Sequence, residues 1–346
     1  MRRFCFLLIF HAFFSLVGLP AFAAQENVLH VLAWPGYADD DVVKSFEEQY
    51  QAKVVVTFVD SDESLWDRMH AENGSLFDVV AANTAEIQRY VQERLLQPLD
   101  PAALPNTQKQ LPRFRDLSSI SGLVQEDKVY AIPFTYSAMG LIYDRRQVPV
   151  PPRSMSELWN PRYQGKVLAF NSAQHNFSFT ALTLGFRDPF RLSADEMRAT
   201  ANKLVALRRN LLAYYSLPEE ATDLFIRHRA ALLFANYGTQ QLTQLRQAGA
   251  DIGYVIPDEG AIAWLDCWAM TRAAKNRDLA HAWINYMLEP AIGKLLSERQ
   301  GLANTQVAPS ELSDKTRLIW LQPVEDVARR EALWSRIVSG ERGEPF

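Results

Sequence analysis

Trp34-Pro35-Gly36-Tyr37 and, far along the chain, Ala263-Trp264-Leu265-Asp266 are the residues whose types could do the most specific chemistry. Indole and phenol faces attract cations at about 0.5–2 kcal/mol each. A nearby carboxylate such as Asp266 then holds one ammonium by a charge-assisted hydrogen bond. Any one of these aromatics alone reads as a core residue in a chain with eight tryptophans; it is the conjunction of rings and acid that points to cation capture. Catalysis finds less support. The chain has no glycine-rich phosphate loop, nucleophile elbow, His-Glu-x-x-His or paired-cysteine motif, and its six histidines are scattered. The expectation is a binding protein, not an enzyme, with no cofactor. Tyr214-Tyr215 offers an alternative, because adjacent tyrosines can bind ferric iron. Hard Fe(III) wants further oxygen or imidazole ligands, and none cluster near this pair in the sequence, so no metal is expected.

The elements that must position these residues alternate strand and helix. Val28–Ala33, Lys53–Val59 and Phe77–Ala82 read as strands, separated by helices over Asp39–Gln49 and Glu63–Glu72. Asn83-Thr84-Ala85-Glu86 supplies an N-cap with an acid three residues on. This βαβαβα opening predicts a largely parallel sheet with helices on both faces. Ligands in such sheets bind beyond the carboxyl ends of strands, which directs attention to Ala33–Tyr37 and Ala82–Thr84. A second block has strands near Met139–Tyr143, Lys166–Ala169, Ala231–Ala235 and Asp251–Val255. Its helices are near Phe177–Gly185, Ala194–Arg208 and Thr239–Ala248, and two more follow at Asp278–Leu288 and Ala291–Arg299.

Arg2 and Arg3, the apolar run Phe4–Leu19 and the small-residue exit Ala21-Phe22-Ala23 read as a signal peptide of residues 1–23. The expected product is a soluble periplasmic protein with a net charge of about −6, against −4 for the full chain. That balance argues against nucleic acid, whose binding rests on Lys and Arg neutralising phosphates. Only Cys267 remains after cleavage, so no intramolecular disulfide can form. A chain of 346 residues is long enough to divide into two cores.

Over nearly its whole mature length the chain resembles the spermidine/putrescine-binding periplasmic proteins of ABC transporters. The resemblance rests on Leu32-Ala33-Trp34 through Tyr37, Phe77-Asp78-Val79-Val80, Tyr130-Ala131-Ile132-Pro133-Phe134, Leu158 through Lys166 (with Leu-Trp-Asn-Pro-x-Tyr-x-Gly), and Gly260 through Asp266. It implies an α/β, two-lobed periplasmic binding protein fold of type II, with the ligand clamped between lobes. Lobe 1 would comprise 24–137 plus about 264–305, and lobe 2 138–263 plus about 306–346, with crossings near Tyr136–Gly140 and Ala263–Asp266. It also implies a polyamine or smaller amine ligand and an inner-membrane ABC permease as partners; the alternative partner is a membrane receptor that metabolises cyclic-di-GMP, the protein then acting as a sensor. Trp34, Tyr37, Trp264 and Asp266 match the family pattern, Asn83 stands where a serine is frequent, and Gln322 matches a far glutamine. Ser172 and His175 fall where carboxylates are usual, and Asn236 near a usual tryptophan. Asp266 is thus the one acid retained, which predicts a preference for short or singly anchored amines.

Overall fold

The computed structural model describes residues 27–71, 75–307 and 317–340; the signal-peptide reading of 1–23 lies outside them. The chain opens with β1 (Val28–Ala33), α1 (Asp40–Tyr50), β2 (Lys53–Phe58), α2 (Asp62–His70), β3 (Val79–Asn83) and α3 (Thr84–Gln92). A short helix α4 (Pro112–Arg115) and a small hairpin, β4 (Val124–Gln125) with β5 (Lys128–Val129), lead into β6 (Ala131–Ala138). Next come β7 (Gly140–Asp144), β8 (Val167–Phe170), α5 (Ala173–Thr183), α6 (Ala194–Arg208), β9 (Leu211–Tyr215), α7 (Pro218–Arg227), β10 (Leu232–Ala235), α8 (Thr239–Gln247) and β11 (Ile252–Val255). The chain then runs through β12 (Ala261–Met270), α9 (Arg277–Met287), α10 (Pro290–Gln300), β13 (Ala303–Asn304), β14 (Leu318–Trp320) and α11 (Val327–Ser339).

Besides the two-stranded β4–β5 hairpin, two larger sheets result, one per lobe. The first has strand order β13-β6-β12-β3-β1-β2, with β14 beside β12; the second has order β11-β7-β10-β8-β9. β1 pairs in parallel with both β2 and β3, as the alternating opening predicts. The remaining strands make each sheet mixed: β12 runs antiparallel to β3 and β6, and β7 antiparallel to β10 and β11.

Local sequence accounts for the helix starts. Ser61 accepts from Ser64 N at 3.1 Å ahead of α2, and Ser193 with Glu196 closes a capping box on α6. α5 begins at Ala173, four residues before the expected Phe177, because Ser172 takes the N-cap position.

The crossings are placed differently from the sequence reading at one point. β6 of the first sheet passes to β7 of the second through Met139 alone, within the expected Tyr136–Gly140. The return lies at 256–260, ahead of β12, and Ala263–Asp266 is instead the interior of a ten-residue strand. β12 is buried along its whole length, so it shows no apolar-polar alternation by which a strand is recognised. The stretch after 306 serves both lobes, since β14 joins the first sheet while α11 packs on α5 and α6 of the second. At the first crossing Tyr254 Oη donates to Ala138 O at 2.8 Å, and the Tyr254 ring lies so close to Gly140 that a Cβ there would fall 2.4 Å from it. Only glycine fits beneath that ring.

Candidate functional site

The carboxyl ends of β1, β2 and β3 face the second lobe across a cavity of about 650 Å³. After β1 the chain turns tightly, Tyr37 N bonding Trp34 O at 3.2 Å. Pro35 and a positive-φ Gly36 (+84°) supply the backbone angles this turn requires. The turn sets Trp34 and Tyr37 together on the cavity wall. Asn83 ends β3, opposite Asp266 of β12. Its Oδ1 caps α3 by accepting from Ala85 N and Glu86 N, and its Nδ2 donates to Asp62 Oδ1 at 2.9 Å.

Of the residues expected at a site, Trp34, Tyr37, Asn83, Ser172, His175, Asn236, Trp264 and Asp266 all line this one cavity. Tyr37 Oη donates to Asp266 Oδ2 at 2.6 Å, and Trp264 Nε1 donates to Asn236 O at 2.9 Å. His175 Nδ1 meets Asn236 Oδ1 at 2.7 Å, and its ring stacks on Phe170 with centroids 5.6 Å apart. Gln322 is not among the residues of this cavity but lines a much smaller pocket that adjoins it and shares Asp62, Asn83, His175 and Leu321 with it. Its neighbour Leu321 extends the β14 pairing through Ala263 O and faces the main cavity. Tyr214 and Tyr215 do not line the cavity; the Tyr215 hydroxyl donates to Phe234 O at 2.6 Å, and burial pushes Tyr214 up to about 12.

Asp266, the one family acid retained, is not alone in the cavity. Asp60, Asp62, Glu63 and Glu331 line the cavity with Asp266, while no lysine or arginine is among its described lining residues. The first three follow β2, so the strand-end rule that singled out the chain after β1 and β3 also reaches them. Glu331 comes from α11, more than 250 residues away, with no local signal to connect it. Tyr237, Phe170 and Trp334 complete an aromatic lining around Trp34, Tyr37 and Trp264.

Electrostatics bear the mark of this crowding. Burial raises Asp266 to about 7, with the Tyr37 hydrogen bond opposing the shift. Burial, together with the negative charges of Glu86, Glu63 and Asp266, holds Asp62 well above the ordinary carboxyl range. Glu331 rises to about 7 through burial and the nearby Glu63 charge. His175 is pushed down to about 4 by burial and is neutral at physiological pH. A set of carboxyl groups that resist ionisation, lined by rings and without a cation of their own, is suited to receive one from outside.

The family model of the bacterial extracellular solute-binding proteins matches residues 41–316. The chain belongs to that family. Within it, the putrescine-binding periplasmic protein PotF of Escherichia coli (strain K12) is 27% identical over 309 residues, covering 86% of this chain and 82% of its own. The putrescine/agmatine-binding protein of Pseudomonas aeruginosa is 23% identical, covering 92% and 94%. Among solved structures, a putative spermidine/putrescine ABC transporter protein from Listeria monocytogenes superposes with a TM-score of 0.79 at 23% identity, over 91% of this chain and 100% of its own. These solute-binding proteins share the two-lobed type II fold, and the fold does not select the ligand. AfuA from Actinobacillus pleuropneumoniae, solved with fructose-6-phosphate bound, superposes at 0.67 with 16% identity.

Proposed function

We propose that the protein is a periplasmic receptor that closes on a small cationic amine and delivers it to an inner-membrane ABC permease. The observation that carries this reading is the charge of the cavity: five carboxyl groups and no described lysine or arginine among its lining residues. An anionic solute would add like charge in a desolvated space, whereas a cation stabilises the ionised form of these acids. Trp34, Trp264 and Tyr237 add ring faces on which an ammonium can rest, and Asp266, beneath Tyr37, is its anionic anchor. The names of the relatives, among them putrescine- and agmatine-binding proteins, support the same ligand class. They support an uptake permease as partner, whereas the signalling receptor finds no support among them.

Titration calorimetry with putrescine, agmatine, spermidine and γ-aminobutyrate tests the reading. Saturable binding of at least one amine at micromolar or lower Kd is expected, with the zwitterion weaker. Binding of an anionic or uncharged solute in preference to every amine would overturn it.

A further inference from the structure

We propose that the amine taken by this cavity carries an apolar group such as an aryl ring, which rests on the second lobe in an annex formed by Leu217, Pro218, Trp334 and Val338. The proposal rests on the amine reading above and deepens it. The lining divides by chemistry. Asp60, Asp62, Glu63 and Asp266 come from the first lobe, on β12 or on the chain that follows β2. At the start of α7 and in the C-terminal half of α11, the described lining residues are the four of the annex and three serines, with no charged side chain.

Glu331, Trp334, Ser335 and Val338 follow the i, i+3, i+4, i+7 spacing of one helix face, and all four line the cavity. Glu331 stands near Glu63. Along this face the helix therefore passes from an acid to an apolar side chain over about 10 Å, the rise of seven residues. The polar groups at the apolar end are already engaged. Trp334 Nε1 donates to Asn171 Oδ1 at 3.1 Å, and Ser339 Oγ donates to Arg336 O at 3.2 Å. Ser216 N donates to Glu220 Oε2 at 2.8 Å, and Ser216 O accepts from Tyr237 Oη at 2.7 Å. Trp334 thus has a ring to offer a ligand but no spare donor, and Pro218 has no N–H at all.

Leu217 and Val338 remain 37% and 40% exposed, so packing within the chain does not cover them. An apolar group laid over them leaves water together with their surface, and binding strengthens with the area covered. Space permits it. The cavity of about 650 Å³ falls in the range of about 300–1,000 Å³ that holds drug-sized ligands. A second ammonium directed to this end would meet no carboxylate there and would lose its hydration without a partner.

The test compares 4-phenylbutylamine with n-butylamine, which has the same ammonium and alkyl chain without the ring, by calorimetry at pH 7.5. Wild-type protein should prefer the phenyl compound by at least about tenfold, the order expected for burying a ring. Joint replacement Leu217→Asn and Val338→Asn makes the annex polar while leaving the charge of the cavity alone, and asparagine suits the N-cap of α7 that Leu217 occupies. It should lower the preference by at least about fivefold, and Val338→Ser alone should lower it by about threefold. Thermal melts verify that the variants fold. A wild-type preference below about tenfold, or one that the folded variants keep, overturns the annex and leaves the amine reading intact. Binding of 1,4-diaminobutane with neither monoamine does the same. Failure of these three and of every amine named above to bind overturns the amine reading and the annex with it.

Discussion

As the proposed anchor, Asp266 would also be the pH gauge of the cavity. Its carboxyl titrates at about 7, and a cation needs it ionised. Amine affinity should therefore fall by roughly tenfold per pH unit below about 7 for the one linked proton, measured by calorimetry between pH 5.5 and 8.5. The sign reverses for the free protein's stability. A folded pKa above the unfolded 3.8 means that the folded state binds the proton more tightly. That contribution is fully present below pH 3.8 and is lost as pH rises through about 7. Asp266→Asn should flatten this part of the melting-temperature profile. It should also weaken amine binding by about two to three decades, the cost of leaving a buried charge unpaired. An affinity within about threefold of wild type would remove Asp266 from the role of anchor.

At the scale of elements, the site depends on how α11 is held. Arg330 is fully buried and donates to both carboxylate oxygens of Glu325 at 2.9 and 2.8 Å, to Ser178 Oγ at 2.8 Å and to Pro189 O at 3.1 Å. These bonds fasten α11 to α5 and to the loop before α6, and so set Glu331 and Trp334 on the cavity wall. Arg330→Leu leaves Glu325 without its cation and should cost about 3–5 kcal/mol, read as a lowered urea midpoint. An unchanged midpoint would show that α11 docks without this pair. β12 illustrates the same dependence from within the first sheet: it brings Trp264 and Asp266 between β3 and β6, and Trp264 reaches on to Asn236 of the second lobe.

At the scale of the whole molecule, Trp34, Tyr37, Asp62 and Asp266 belong to the first lobe, and Ser172, His175 and Tyr237 to the second. A ligand that touches both sets binds the closed arrangement better and shifts the population toward it. Small-angle scattering and tryptophan fluorescence should respond at one half-saturating amine concentration, with a smaller radius of gyration. A tight ligand that moves neither signal would remove the clamp. The sequence by itself determined the alternating strands and helices of the opening, the cap at Asn83 and the family, because these rest on periodicity, capping chemistry and short motifs local to the chain. It also named eight residues that share one cavity, because strand ends and family motifs point there. Tertiary structure alone decided that Ala263–Asp266 lies inside a strand, that Gln322 falls in the smaller pocket adjoining the cavity, and that Glu331 joins Asp60, Asp62 and Glu63. A fully buried strand has no alternation to read. An anionic cavity assembled from segments more than 250 residues apart has no signature in either segment, since only packing brings their charges together.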